Sequence, residues 1–148
     1  MRRSLFHALL LGFCALLTAC GRAPHPQQVE IETFLQRYFS TWSAQDMEGY
    51  GACFDPAARI IFVEKNGRAS SQGLTDFLHG QKLGHQRSPV PMTEVPTAMR
   101  ISGDTRVAFA EVPWRLTKGR DVVTGVDYFT LARDGSGWRI LALAFYND

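Results

Sequence analysis

In the C-terminal part of the chain, apolar and polar residues alternate as they do in β-strands. This pattern constrains the fold more than any other feature of the sequence. β-Branched and apolar residues alternate with polar ones over residues 93–101, 106–116, 122–133 and 138–146. The segments SGD, TKGRD and DGSG separate these runs, and their Gly, Asp and Ser residues favour tight turns. Long strands joined by short turns predict an antiparallel meander.

The N-terminal part has the pattern of helices. Apolar residues recur at helical spacing, namely Ile31, Phe34, Leu35, Tyr38 and Trp42. They predict a helix over residues 28–44. Asp46 is placed to cap a second, short helix, and Thr75 a third. Between these two, ARIIFVE predicts a further strand with KNGR as its turn. Helices first and strands later predict an α+β fold, with the helices on one face of a curved antiparallel sheet.

The predicted turns bring polar residues of neighbouring strands to one end of a sheet face. If TKGRD turns about Gly119, then Glu111 lies opposite Asp127, and a four-residue DGSG loop adds Tyr146 to the same face. Such a face fits a core that opens into a pocket. Two facing carboxylates repel each other unless water reaches them or one keeps a proton. A turn shifted by one residue would separate them.

The opposite sheet face is predicted to be apolar as well, and it holds Val112, Trp114, Val126, Tyr128, Leu141, Leu143 and Phe145. Helices can cover only one face, and an exposed apolar face of this size is typical of a protein interface. We therefore predict a homodimer formed sheet to sheet.

The first 19 residues have the composition of a secretory signal. Arg2 and Arg3 precede an apolar run over residues 5–17, which is too short for a transmembrane helix. The run ends in LTAC, which resembles the lipobox of bacterial lipoproteins; an ordinary secretory signal is the alternative. The resemblance implies lipidation of Cys20, a short tether over residues 20–28, and a lipid-anchored place in the cell envelope. Gly21 after the cysteine favours the outer membrane, facing the periplasm.

Charge and metal-ligand patterns exclude several function classes. Without Arg2 and Arg3 the sixteen basic residues fall to fourteen, which equals the number of acidic residues. This balance gives no basic surface for nucleic acid, so membrane attachment is expected through the lipid anchor only. Cys53 reads as a small core residue. His79 and His85 lack a metal-ligand spacing or an accompanying cluster, so we predict neither a metal site nor a cofactor.

Two stretches, QRYFSTWSAQDMEGYGACF and GVDYFTLARDGSGWRI, resemble the nuclear transport factor two-like superfamily. This is a cone-shaped α+β fold that includes SnoaL-like polyketide cyclases and ketosteroid isomerases, and it implies one domain over residues 29–148. In those isomerases a tyrosine of an RY pair and an aspartate of an IDHF-like strand form an oxyanion hole. The matching residues here are Tyr38 and Asp127. A phenol and a neutral carboxyl can both donate to one ligand carbonyl oxygen.

The resemblance also implies a carboxylate base on the strand after the second helix. The matching position falls near Phe62, and Glu64 lies two residues further in the same strand phase. If the protein is an enzyme, its expected catalytic residues are Asp127, Tyr38, Glu64 and Glu111. The expected ligand-binding residues are Tyr38, Trp42, Phe62, Asp127 and Tyr146.

Three functions stay open from the sequence. The first is a pocket that binds a small, mostly apolar molecule with a carbonyl or similar acceptor. The second is an acid–base enzyme of the isomerase, dehydratase or cyclase type, and the third is a noncatalytic dimerisation or assembly module.

Overall fold

Residues 26–148 are described by the computed structural model, and they form three helices and seven strands. In chain order these are α1 (Pro26–Ser43), α2 (Met47–Gly51), β1 (Phe54–Val63), β2 (Ala69–Gly73), α3 (Leu74–Arg87), β3 (Met92–Pro96), β4 (Arg100–Gly103), β5 (Val107–Lys118), β6 (Asp121–Asp134) and β7 (Gly137–Asn147). The predicted signal peptide and Cys20 lie outside the described residues. No helix in this part of the chain combines the length and apolar character that crossing a bilayer requires.

The strands form one curved sheet in the order β2-β1-β7-β6-β5-β3, with β4 also paired to β5. The predicted α+β fold, with N-terminal helices packed on this sheet, is confirmed. One pair, β1 with β7, runs parallel, so the sheet is mixed rather than wholly antiparallel. A parallel pair needs a long connection between its strands, and here the third helix and the meander supply it.

Three elements differ from the sequence prediction. Helix α3 continues to Arg87, through residues expected in a loop, and Gly73 rather than Thr75 precedes its first turn. Strand β2 (ASSQG) has no apolar alternation and forms the exposed edge of the sheet. The strand expected over residues 93–101 is divided into β3 and β4, because these pair with different parts of β5.

The β5–β6 turn shifts the predicted register by one residue. The two strands are joined by a two-residue loop, in which Gly119 has a φ of 62°, so the turn is centred after Gly119. Asp127 therefore pairs with Val112, and Glu111 pairs with Tyr128. Because neighbouring side chains point to opposite faces, Glu111 lies on the other side of the sheet from Asp127. The predicted Glu111–Asp127 pair is wrong.

An irregularity in β7 changes which of its residues face the helices. Leu131 pairs with Ile140, but Thr130 pairs with Ala142, so Leu141 is an extra residue. Beyond it, Phe145 rather than Tyr146 shares the face of Asp127. Together with the shifted β5–β6 register, this irregularity corrects the expected exposed face, because four of its members are turned toward the helices: Val112, Trp114, Leu143 and Phe145.

The helices cover the sheet face that carries Asp127, called here the inner face. The core between them includes side chains that are almost fully buried: Ile31, Leu35, Cys53, Ile60, Val112, Leu131, Ile140 and Leu143. Burying one such Leu or Ile side chain stabilises the fold by about 1.5–3 kcal/mol. Cys53 is a free, buried cysteine, as predicted.

Candidate functional site: a cavity walled by aromatic rings

A cavity of about 220 Å³ lies between α1, α3 and one end of the inner face. Aromatic rings form much of its wall: Trp42, Tyr50, Phe77, Trp114 and Phe145. Four further polar side chains reach it besides the tyrosine hydroxyls: Gln81, Glu94, Asp127 and Asn147. An apolar wall with a few converging polar groups is the usual composition of a small-molecule site.

Helical and strand periodicity place the two central residues. Tyr38 lies on the buried stripe of α1, one turn before Trp42, and the alternation of β6 turns Asp127 inward between Gly125 and Phe129. Tyr38 and Asp127 are each only 3% exposed. The resemblance had paired these two residues, and the structure brings them together.

A chain of hydrogen bonds ends on the Asp127 carboxyl. The Tyr50 hydroxyl donates to the Tyr38 oxygen at 2.9 Å, and the Tyr38 hydroxyl donates to Asp127 Oδ2 at 3.3 Å. Trp114 Nε1 donates to Asp127 Oδ1 at 2.8 Å. Both carboxyl oxygens therefore accept bonds from protein groups, and the Tyr38 proton is directed at Asp127 rather than into the cavity.

Gly125 makes room for the indole that holds Asp127. It pairs with Trp114 across the β5–β6 ladder. A Cβ atom at Gly125 would lie 2.4 Å from Trp114 Cζ2 and 2.2 Å from the carbonyl oxygen of Tyr146. A residue without a side chain is thus required for the indole to lie against β6.

Burial raises the pKa values of the three residues in this hydrogen-bond chain, Asp127, Tyr38 and Tyr50. It raises the pKa of Asp127 to about 7, although the hydrogen bonds from Trp114 and Tyr38 oppose the shift. It also raises the pKa of Tyr38 and of Tyr50 well above the usual value, so both phenols stay protonated at neutral pH. Asp127 alone in this cluster changes its charge near pH 7.

Glu94 is a site residue that the sequence analysis missed. It lies on β3 and pairs with Leu116, facing inward, and its backbone is fixed to α1 by two hydrogen bonds with Ser43 Oγ, at 2.9 and 3.1 Å. Burial, followed by the charge of Asp127, raises the pKa of Glu94 to about 8. Within residues 26–148 its carboxyl has no hydrogen-bond or ion-pair partner, so it is free to meet a ligand. The only signal was its position in phase with Met92 and Pro96.

The two predicted bases lie elsewhere. Glu64 is at the end of β1, where it forms an ion pair with Arg68 at 2.6 Å. Glu111 is on the face turned away from the helices, called here the outer face, and pairs with Arg100. Neither carboxyl lines the cavity, because the shifted register and the β1 turn direct them away.

Of the expected ligand-binding residues, the structure places Tyr38, Trp42 and Asp127 at the cavity and two others outside it. Phe62 packs behind the wall on Phe145, with ring centroids 5.3 Å apart. Tyr146 faces outward, 6.3 Å from the ring of Tyr128, because of the extra residue in β7.

Trp42 connects the cavity wall to α3. Its indole Nε1 donates to Gln81 Oε1 at 2.8 Å, and its ring centroid lies 4.3 Å from that of His85. This pair of contacts holds α3 over the cavity mouth and leaves the Gln81 amide group at its edge.

Comparison with known proteins identifies one matching family model and one shared fold. A family model described as "Putative lumazine-binding" matches residues 26–146. No curated protein matches the sequence. Many solved structures share the fold, although the three described next are all less than 25% identical to this chain.

A protein of unknown function from Mycobacterium tuberculosis is 22% identical, with a TM-score of 0.69 over 82% of this chain and 72% of that one. An NTF2-like protein of unknown function from Pseudomonas putida KT2440 is 14% identical, with a TM-score of 0.68 over 80% and 84%. A "putative dehydratase from the NTF2-like family" from Streptomyces avermitilis is 13% identical, with a TM-score of 0.66 over 81% and 94%. These likenesses confirm the NTF2-like fold.

Proposed function

The chain belongs to this lumazine-binding-like family and has the NTF2-like fold, and on that premise we propose that its cavity binds a small, mostly apolar molecule with a carbonyl or similar acceptor. One observation carries the proposal. The hydrogen-bond chain from Tyr50 through Tyr38 to Asp127 lies in the wall of a cavity built largely from aromatic rings. Buried polar groups in such a wall orient a ligand.

The size of the cavity narrows the ligand class. A volume of about 220 Å³ lies below the roughly 300–1,000 Å³ of drug-sized sites, so it suits a molecule of one or two fused rings. Flat rings pack well between aromatic side chains. Lumazine, a two-ring compound with ring carbonyls, fits this description and is a suitable first probe.

The protonation state of Asp127 decides whether the Tyr38 hydroxyl can donate to a ligand carbonyl. A hydroxyl has one proton to donate and two lone pairs to accept. While Asp127 is ionised, the Tyr38 proton is used on it. Once Asp127 is protonated at Oδ2, it can donate to Tyr38, and the Tyr38 proton becomes free for a ligand oxygen. We therefore expect ligand affinity to fall as the pH rises through about 7, the pKa of Asp127.

Calorimetric titration and NMR of the tryptophan indole N–H groups test this function. Lumazine should shift the signals of Trp42 and Trp114, which line the cavity. Asp127→Asn should keep the affinity and remove its fall above pH 7, because an amide donates to Tyr38 at every pH. Asp127→Leu should weaken binding at least tenfold, because leucine leaves Trp114 Nε1 without its acceptor and Tyr38 without the group that orients its hydroxyl. Asp121→Leu, at the exposed β5–β6 turn, is the matched control. Equal affinity of wild type and Asp127→Leu, or binding of neither lumazine nor a naphthoquinone, would contradict the proposal.

Glu94 favours an acid–base enzyme as the second candidate function. A carboxyl with a pKa of about 8 is well matched to proton transfer near neutral pH. In this scheme Glu94 takes a proton from the carbon beside a ligand carbonyl, Tyr38 stabilises the resulting oxyanion, and Glu94 returns the proton to carbon.

Deuterium exchange separates the two candidates. In D₂O, an enzyme of this kind should exchange the α-hydrogens of 2-tetralone, a small two-ring ketone. Glu94→Gln should abolish the exchange while leaving ketone affinity within about threefold, and Glu111→Gln, on the outer face, should change neither. Ketone binding without protein-dependent exchange would rule out the enzyme and leave the binding function intact.

For the assembly state, we propose a homodimer through the outer face. Phe109 is 53% exposed and Tyr128 43% exposed on this face, and the small residues Ala142 and Ala144 lie beside them. An exposed apolar surface of this kind supports an interface. Analytical ultracentrifugation should give a dimer that Tyr128→Glu dissociates and that Asp121→Asn, at the exposed turn, does not. A monomer across a wide concentration range would contradict it.

For the location, we propose a lipid-anchored protein of the bacterial cell envelope, at the outer membrane facing the periplasm. The support is the LTAC segment with Cys20 and Gly21. Cells fed a radiolabelled fatty acid should label the wild type and not Cys20→Ala, whereas Cys53→Ala should stay labelled. Label retained by Cys20→Ala would contradict the anchor.

A further inference from the structure

A second concave site, called here the arginine groove, lies at the other end of α1 from the cavity. It has a volume of about 710 Å³ and lies between the first half of α1 and the β6–β7 hairpin. Its floor contains two aromatic side chains, Phe34 at 9% and Trp138 at 6% exposed. Three arginines surround this floor: Arg37, Arg133 and Arg139.

The charges of the groove are predominantly positive. Glu30 is the single acidic residue among its lining side chains, and it forms an ion pair with Arg133 at 3.1 Å. Arg37 has no carboxylate partner within residues 26–148; its Nη2 lies 3.9 Å from the Cys53 sulfur. An exposed guanidinium without a carboxylate partner can hold an anion through two parallel N–H bonds.

The aromatic floor positions two of these arginines. Arg37 Cζ lies 5.7 Å from the ring centre of Phe34, and Arg133 Cζ lies 5.9 Å from that of Trp138. These are cation–π distances, and they hold the guanidinium groups beside an apolar surface. The groove thus presents positive charge and apolar area side by side.

Trp138 also has a buried donor without an acceptor. Its indole Nε1 makes no hydrogen bond within the described part of the chain, although buried N–H groups in proteins nearly always have a partner. By contrast, the indoles of Trp42 and Trp114 donate to Gln81 and Asp127. Trp138, which carries this unpaired donor, is one of the residues that line the groove.

From these observations we propose that the arginine groove is a second binding site, for an organic carboxylate with a flat apolar body. The carboxylate would pair with Arg37, because the Arg139 guanidinium already contacts Asp134 at 3.8 Å and donates to the Ala52 carbonyl oxygen. The body would lie along Phe34 and Trp138. The cavity offers this ligand class no cation, because neither lysine nor arginine is among the described residues that line it. The site is independent of the function proposed for the cavity.

Three probes separate the parts of this recognition. We would titrate 2-naphthoate, its neutral amide 2-naphthamide, and acetate into the purified full-length protein, following the three indole N–H signals by NMR. 2-Naphthoate should shift the Trp138 signal and leave those of Trp42 and Trp114 in place. Both other probes should bind at least tenfold more weakly, because one lacks the charge and the other the body.

Three variants test which charge binds the 2-naphthoate carboxylate. Arg37→Gln should weaken 2-naphthoate binding at least fivefold, while Arg120→Gln, an exposed arginine at the β5–β6 turn, should not change it. Glu94→Gln, inside the cavity, should not change it either. Unchanged affinity in Arg37→Gln, equal affinity for the amide, or movement of the Trp42 and Trp114 signals instead of Trp138 would each overturn the proposal.

Discussion

The cavity around Asp127 and the arginine groove share α1 and β7, yet their charged groups behave in opposite ways. In the cavity the carboxyls are taken out of water, so burial raises the pKa of Asp127 to about 7 and that of Glu94 to about 8. In the groove the guanidinium groups stay in contact with water; the Arg133 side chain is 41% exposed. Burial therefore turns the cavity carboxyls into groups that can carry a proton near neutral pH, whereas a guanidinium keeps its charge at any depth.

The largest effect is expected where the cavity wall is tightest. Gly125→Ala places a Cβ against the Trp114 ring and a backbone oxygen, and overpacking of this kind costs about 3 kcal/mol of unfolding free energy. Denaturant unfolding measures the loss. Gly135→Ala, with no atom within 4 Å of the added carbon, should stay within about 0.5 kcal/mol of wild type. A similar result for both variants would mean that the cavity wall is free to yield.

A comparison of two tryptophans isolates what the buried Trp114–Asp127 hydrogen bond contributes to the free energy of unfolding. Trp114 donates to Asp127, whereas Trp138 has no acceptor in the described residues. A bond to an ionised carboxyl is worth about 1.5–3 kcal/mol, so at pH 8 we expect Trp114→Phe to destabilise the fold by about 2 kcal/mol more than Trp138→Phe. At pH 5, where Asp127 is protonated, the difference should shrink. The same difference at both pH values would show that ring size, not the bond, sets the cost.

The pH dependence of stability should come from the cavity and not from the groove. The pKa values of Asp127 and Glu94 in the folded protein lie above the value of about 4 for free carboxyls. Each group therefore favours folding below about pH 4 and loses this contribution as the pH rises through 7 to 8. Each proton changes the unfolding free energy by up to about 1.4 kcal/mol per pH unit.

Urea unfolding from pH 5 to 8 measures this slope. Glu94→Gln should flatten it by about 1 kcal/mol per pH unit near pH 7, while Arg37→Gln should leave it unchanged. Comparing variants also removes the contribution of His85, whose lowered pKa acts in the opposite direction. A slope that Glu94→Gln leaves intact would show that Glu94 is already ionised at pH 7.

The sequence predicted the elements of the site better than their register. Helical spacing identified the buried stripe with Tyr38, and the family resemblance paired Tyr38 with Asp127. The predicted face of Glu111 is wrong because the turn after β5 is centred between Gly119 and Arg120 rather than on Gly119. This moves the strand pairing by one residue, which exchanges the two faces of a strand. The extra residue Leu141 likewise turns Tyr146 to the outer face. No local pattern encodes such shifts, since tertiary packing selects between the two faces.

Glu94 illustrates a second limit. Asp127 is the one charged residue in the middle of the long strand β6, so its position is unusual in the sequence itself. On β3 the strand has five residues, and Glu94 looks like an ordinary polar position in the alternation. Only the packing of α1 over β3 makes it a cavity residue.

The smallest effect on stability is expected from the groove. Arg37 is exposed and has no carboxylate partner in the described chain, so Arg37→Gln should change the unfolding free energy by less than about 0.5 kcal/mol. Denaturant unfolding should place it beside Arg120→Gln, which alters a charge far from any ring. If Arg37→Gln loses more than about 1 kcal/mol while Arg120→Gln does not, then stacking on Phe34 supports α1 itself. Arg37 would then contribute to the stability of the fold, as the cavity wall does. The groove and the cavity would differ only in whether their charged groups change protonation near neutral pH.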